Sequence, residues 1–166
     1  GTSLYDVDKL ASAMVTDQFI GAYGLGDYDA ITLRKLLTGK QAQAGVSISG
    51  LSESVGGAST PKDFETLMQL IYLRFEKPRF DKEVHQTMMQ RNYAAIENSG
   101  NNPQKIMQDS VSRIMSNYSP RTLSFGKEFL DKVSIEQIEE IYRDRIKDIS
   151  DFTFFIVGNI DAETVK

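Results

Sequence analysis

Ser150-Asp151-Phe152-Thr153-Phe154-Phe155-Ile156-Val157-Gly158-Asn159-Ile160-Asp161 is the stretch whose reading decides the fold. Six of its residues are large and apolar, and little in it is suited to water. It reads as a central strand, with Phe152, Phe154 and Ile156 on one face and Phe155 and Val157 on the other. Both faces then need cover, as in a sheet with layers packed against it. Full burial would contribute about 1.5–3 kcal/mol per large side chain, which makes this strand the expected anchor of the core. Gly158-Asn159 ends it, and Asp161 reads as the N-cap of a helix beginning Ala162-Glu163-Thr164. The sequence stops at Lys166, too soon for that helix to hold itself together, so the C-terminus reads as a cut through a longer protein.

The cover for this strand is sought upstream. Asp6 or Asp8 caps a first helix whose stripe of Leu10, Ala13, Met14 and Phe19-Ile20 is broken, and Gly21 to Gly26 stops it. Asp29 caps a short helix through Ile31, Leu33, Leu36 and Leu37, ending at Gly39. The period then becomes two: Ala42, Ala44, Val46 and Ile48 alternate with Gln43, Gly45, Ser47 and Ser49. Leu51 to Val55 reads as the partner strand, leaving through Gly56-Gly57. Thr60-Pro61 with Asp63 is a strong helix start, followed by a core-bound face of Phe64, Leu67, Met68, Ile71, Tyr72 and Phe75. Pro78 breaks that helix, and Asp81 caps another to about Ser99, with Val84, Met88, Tyr93 and Ile96 inward. Pro103 opens a helix carrying Ile106, Met107, Val111, Ile114 and Met115, and Gly126 to Val133 reads as a short helix. Ser134 with Gln137 forms a capping box, from which Ile135, Ile138, Ile141, Tyr142, Ile146 and Ile149 lead into the final strand. The helices built on Phe64-Leu67-Ile71 and Ile138-Ile141-Tyr142 are its natural cover. The sum is a single α+β domain over residues 1–166: a sheet with helices layered on one face, without βαβ alternation.

Composition bounds the function. The 166 residues are 40% hydrophobic and 25% charged, enough for one sizeable core. A net charge of −4 gives no pull toward nucleic acid or anionic membrane, and the sequence contains no membrane span. The absence of cysteine removes disulfides and thiolate metal sites and leaves the compartment open.

No catalytic constellation emerges from the residues. His85 is the only histidine, so neither a two-histidine metal site nor a histidine-based triad with a spare ligand can be built. It lies near a helix start without a paired carboxylate and reads as a surface or packing residue. The glycines of 21–26 follow a helix and lack the Lys-Ser/Thr of a phosphate loop. Met68, Met88, Met89, Met107 and Met115 read as core filler, with a peptide-binding groove as the minority alternative. The acidic cluster of Glu136, Glu139 and Glu140 alongside Arg143, Arg145 and Lys147 reads as a solvated helix face.

Three stretches in order carry a resemblance. They are Gly24 to Ala30 with Leu33 to Lys40, Val46-Ser47-Ile48 leading through Gly56 to Ser59-Thr60-Pro61-Lys62-Asp63-Phe64 and on to Leu70, and Asp151 to Asp161. Together they resemble a non-catalytic domain from the second half of a bacterial pitrilysin/insulinase-family (inverzincin) zinc metallopeptidase. The resemblance implies an α+β metallopeptidase-type domain in a chain of duplicated halves that close around a chamber. That family's catalytic signature is H-x-x-E-H with a further glutamate ligand downstream. Aligned on the glycines after the first helix, the motif would fall near Val15-Thr16-Asp17-Gln18-Phe19, where no histidine stands. The downstream ligand would fall within Arg91 to Glu97, where Glu97 is the only carboxylate. Loss of these ligands is a known trait of the family's non-catalytic halves.

The expectations are therefore no catalytic, cofactor-binding or metal-binding residue in this segment, with zinc in the catalytic half of a parent chain that cleaves peptides or unfolded polypeptides. The partners implied are the other domains of that chain and a peptide in its chamber. The resemblance points to the periplasm or cell envelope. The alternative from another class is a structural or interaction domain, resembling a core subunit of an assembly, with no role in proteolysis.

Overall fold

In a computed structural model, which describes residues 1–99, 102–161 and 163, the chain is organised around its first long helix. This helix, α1 (Val7–Tyr23), has Leu10, Ala11, Ser12, Ala13, Val15, Thr16, Phe19, Ile20 and Tyr23 buried. So many buried positions cannot lie on one stripe; α1 is enclosed on several sides. Its neighbours are the strand β1 (Ala42–Ile48) and the helices α2 (Ala30–Leu36), α4 (Lys82–Ser99) and α7 (Ile135–Ile146). The small side chains Ala11, Ala13, Ser12 and Thr16 let those neighbours approach the helix axis, and Phe19 and Tyr23 fill the space at its C-terminal end.

β1 pairs antiparallel with β2 (Glu53–Ser59), with Ala42 opposite Ser59 and Ile48 opposite Glu53. Inward residues Ala42, Ala44, Val46 and Ile48 face the helices, whereas Gln43, Gly45 and Ser47 face solvent. A short 3₁₀ turn (Pro61–Asp63) leads into α3 (Phe64–Glu76), which underlies both strands. The buried Asp63 fastens this entry: its Oδ2 accepts from Gln41 N at 2.9 Å and Thr60 Oγ1 at 3.1 Å. At Gly57, a Cβ would run into the backbone carbonyl of Gln43 on the paired strand and lie 2.6 Å from Leu67 Cδ1, so β2 can pass between β1 and α3 here only without a side chain. Gly24, which ends α1 at φ 97°, is similarly required because a Cβ there would meet Tyr28 O at 2.3 Å.

Most caps follow the sequence. Asp29 Oδ1 accepts from Ile31 N and Thr32 N, Asp81 Oδ1 accepts from Glu83 N and Val84 N, and Asn102 caps α5 (Pro103–Met115) through Gln104 N. The Ser134 box is modified. Ser134 Oγ accepts from Gln137 N at 3.2 Å, but Gln137 does not reach back to the Ser134 amide. Ser12 of α1 is inserted instead: its Oγ accepts from Ser134 N at 3.1 Å and donates to Gln137 Oε1 at 2.7 Å. One hydroxyl thus joins the middle of α1 to the start of α7.

Several expectations are corrected. Residues 152–157 form no strand, and most of their apolar surface is open: Phe154 is 49% exposed, Phe155 85%, Ile156 41% and Val157 97%. The alternation itself holds, since Phe152 and Phe154 both meet the Phe75 ring, at 5.1 and 6.4 Å, while Phe155 and Val157 face away. The core is helical instead, made by α1, α7 and the Phe129-Leu130-Val133 segment around α6 (Lys127–Leu130). A strand needs a hydrogen-bonded neighbour, and among the described residues 153–160 have none. The partner strand runs from Glu53 to Ser59, with Gly56-Gly57 inside it and not at its exit. Tyr72 is exposed, Ile149 leaves α7 in a 3₁₀ turn (Ile149–Asp151), and the α5 face of Ile106, Met107, Val111, Ile114 and Met115 is exposed along its length. Of the helix expected after Asp161, only Asp161 and Glu163 lie among the described residues.

Three stability outcomes follow from this packing. Ser12→Ala leaves the Ser134 amide and Gln137 Oε1 without their buried partner and should cost about 1–3 kcal/mol in chemical denaturation. Phe19→Ala should cost about 3–5 kcal/mol, and Phe154→Ala much less because half of that ring already meets water. The third concerns His85, which is 9% exposed, with Nδ1 2.8 Å from Tyr23 Oη and its ring 5.1 Å from that of Phe19. Burial pushes its pKa below the ordinary value, outweighing the opposing pull of Glu136. A base whose folded pKa is depressed contributes stability that is present above the unfolded value, about 6.5, and is lost as pH falls through the folded one. Denaturation midpoints should therefore drop on acidification below about pH 6.5, and His85→Gln should flatten that slope, with any carboxylate contribution appearing nearer pH 4.

Candidate functional site

The positions at which the resemblance would place a zinc centre lie on α1 and α4, and these two helices do pack together. What they bring together is apolar. Val15, Thr16 and Phe19 are buried, and Phe19 meets His85 of α4, whose imidazole is occupied by Tyr23. Asp17 is only partly buried on α1, and Glu97 is exposed. Among the described residues no three histidine, cysteine, aspartate or glutamate side chains are close enough to hold a metal ion. The residues present do not fit a catalytic zinc, which needs three protein ligands and an open position. His85 takes the packing role.

A concave feature lies at the β2 edge of the sheet. A groove of about 450 Å³ runs between β2 and the segment 152–160, and the apolar face of α3, Phe64, Leu67, Met68, Ile71 and Phe75, lines it. No charged side chain borders it. These α3 residues are the face that the sequence marks as core-bound; a large part of it floors an open channel, which is why Met68 and Ile71 are only partly buried.

The polar groups of the groove are those of the main chain. Thr60 N donates to Gln41 O at 3.1 Å and Ser49 N to Ser52 O at 2.8 Å, fixing the phase of the ladder at both ends. In an antiparallel pair, bonded and non-bonded positions alternate, so Ser54, Gly56 and Ala58 bond to β1. Glu53, Val55, Gly57 and Ser59 then turn their N–H and C=O groups the other way, toward the groove. Among the described residues no backbone hydrogen bond crosses from this edge to 153–160. Sequence reading missed the groove because it treated 152–157 and the α3 face as mutual cover; the unpaired edge of β2 depends on tertiary placement.

A second surface is the outer face of the sheet. Gln43, Gly45, Ser47, Ser54, Gly56 and Ala58 are exposed, uncharged and mostly small. Nothing on it projects far into solvent. Among the described residues no helix is long and apolar enough to cross a membrane.

No protein-family model matches the chain, and no curated protein matches it. Among solved structures, the crystal structure of the periplasmic protease PqqL from Escherichia coli aligns with a TM-score of 0.81 over 99% of this chain, at 14% identity. The aligned part is 18% of the PqqL chain, so this chain spans less than a fifth of the protein it matches. At that identity the likeness is one of fold. It bears out the helix-rich α+β class and, at the level of fold, the resemblance read from the sequence: the fold is that of a segment of this periplasmic protease.

Proposed function

We propose that the chain is a non-catalytic domain of a zinc-dependent metalloendopeptidase, forming part of the wall of a chamber in which peptides or unfolded polypeptides meet a zinc held elsewhere in a longer polypeptide. The observation that carries this reading is the fold likeness to a protease over 99% of the chain, combined with apolar packing where ligands would stand. The outer sheet face supports it, because small uncharged residues leave room for polypeptide without fixing its sequence. Such a domain contributes through positioning and exclusion of water, which lower the barrier without an acid, base or metal of its own. Its partners are the other domains of that polypeptide and the enclosed peptide. The compartment that goes with this reading is the periplasm or cell envelope.

A second reading, an interaction domain without a role in proteolysis, is favoured by one observation. The exposed α5 face of Ile106, Met107, Val111, Ile114 and Met115 has the form of a docking surface.

Kinetics on the longer protein separate the two. Ser47→Trp with Ala58→Trp adds bulk to the exposed sheet face. Zinc content and cleavage of a short reporter peptide should stay unchanged, while kcat/KM for a long unstructured peptide falls about tenfold, equivalent to about 1.4 kcal/mol. The 166-residue chain, washed with chelator, should hold far less than one equivalent of zinc and cleave nothing. Stoichiometric zinc on it, chelator-sensitive cleavage by it, or long-peptide kinetics indifferent to the two tryptophans would each sink the chamber-wall reading.

A further inference from the structure

α5 ends in a conformation that helix capping explains only in part. Asn117 and Tyr118 both lie in the left-handed region, at φ 51° and 55°. For Asn117 the cause is local. Tyr118 N donates to Arg113 O at 2.8 Å and Asn117 N to Ile114 O at 3.0 Å, which closes the helix in a turn whose first residue past the cap is left-handed, a position that asparagine takes readily. Tyr118 has no such cause. A bulky residue at positive φ is an outlier, and because Tyr118 is 67% exposed, packing within the chain does not compensate. Strained residues of this kind gather at binding sites and ligand clamps.

Tyr118 borders a pocket of about 260 Å³ between the loop that follows α5 and the α6 region. Its apolar lining is held in place: Phe129 is buried, Leu123 packs on the core, and Arg121 ties the loop to the body by donating to Tyr5 O at 2.7 Å and to Thr2 O at 3.2 Å. The charges on the lining come from separate parts of the chain, Arg113 from α5, Glu128 from α6 and Lys132 from the turn before α7. None of the three is in an ion pair among the described residues. The side-chain hydroxyls of Thr122 and Ser124, which also line the pocket, have no hydrogen-bond partner among them either.

The charge balance selects the ligand. Two cations and one carboxylate leave one net positive charge, which a monoanion neutralises. A phosphate group, with a charge nearer two, would bring a surplus negative charge next to Glu128. A guanidinium takes a carboxylate in a two-pronged pair, and free hydroxyls can donate to its remaining lone pairs. Tyr118, Leu123 and Phe129 place apolar surface beside these charges, which suits a carboxylate carried on an apolar group. The interior of a polypeptide brings no main-chain charge, whereas its C-terminal end brings one carboxylate. We propose that this pocket binds the C-terminal carboxylate of a peptide that ends in an apolar residue, with Arg113 and Lys132 holding the carboxylate and Tyr118, Leu123 and Phe129 enclosing the last side chain. The inference deepens the chamber-wall reading by fixing one end of the enclosed peptide, and it rests on that reading for the ligand being a peptide.

Nuclear magnetic resonance titration of the 166-residue chain tests it with a short peptide ending in phenylalanine, the same peptide as its C-terminal amide, and inorganic phosphate. The free-acid peptide should shift the amides around Tyr118 and Ser124 saturably. The amidated peptide should bind about tenfold more weakly, and so should the free acid to a protein carrying Arg113→Met with Lys132→Met, the loss expected for a charge-assisted hydrogen bond. Glu128→Gln should tighten the free acid instead, an opposite sign that a merely structural role would not give. Tyr118→Gly, relieved of its backbone strain, should raise the denaturation midpoint and yet weaken the peptide. No saturable shift, equal binding of acid and amide, tighter binding of phosphate than of the peptide, or indifference to the Arg113 and Lys132 substitutions would each overturn the proposal. So would weaker binding by Glu128→Gln, or unchanged binding by Tyr118→Gly. A longer protein that binds the free acid in this way but has no peptidase activity would defeat the chamber-wall reading and leave the site; one that cleaves long peptides while the pocket ignores their carboxylate would do the reverse.

Discussion

The buried hydroxyl of Ser12 is the constraint on which the rest of the arrangement depends. It lies in the middle of a helix enclosed on several sides and takes part in the cap of another helix far away in sequence. Because Ser134 N and Gln137 Oε1 both use it, α7 can start only where α1 presents it. Thr16 keeps the same surface satisfied by donating to Ser12 O at 2.8 Å. A larger side chain at position 12 would separate the helices, and an apolar one would leave two polar groups buried without partners.

From that junction the other contacts follow in layers. α7 sends Tyr142 across to α3, where its hydroxyl donates to Arg74 O at 2.8 Å. Arg74 is itself buried and donates to Ala44 O of β1 at 3.3 Å, so one chain of contacts runs from α7 through α3 to the sheet. Burial without a carboxylate partner lowers the pKa of that guanidinium, yet leaves it charged at any pH the protein meets. The charge is tolerated because the Ala44 carbonyl takes one of its donors. Polar contacts thus set the positions of the layers, and apolar burial supplies most of the energy.

The same architecture puts side-chain packing where the resemblance would place ligands. α1 and α4 pack together, and their contact is made by Phe19, His85 and Tyr23. The histidine is used as a flat, half-polar packing element whose nitrogen is satisfied by a buried phenol. Burial of that kind disfavours the charged imidazolium. The open features are the sheet, whose outer face is small and neutral, and the groove at its edge, where main-chain groups wait for pairing. Both are suited to contact with polypeptide.

The sequence by itself determined the local structure: the β1 period, the helix starts at Asp29, Asp81, Pro103 and Ser134, and a stop to the first helix within Gly21 to Gly26. Each is governed by groups within a few residues of one another, so local chemistry decides them. It also determined that 152–157 alternates, with Phe152 and Phe154 toward Phe75. Only the tertiary structure decided which apolar surface is buried. The stretch richest in large apolar residues is open, as is the regular face of α5, whereas the irregular α1 with its Ala11, Ser12, Ala13 and Thr16 lies at the centre. Burial is a property of what lies opposite a side chain, and small residues are buried because they let neighbours come close, a signal that hydrophobic periodicity does not register. The groove was not legible in the sequence, because an unpaired strand edge exists only once β1 has taken the other side of β2.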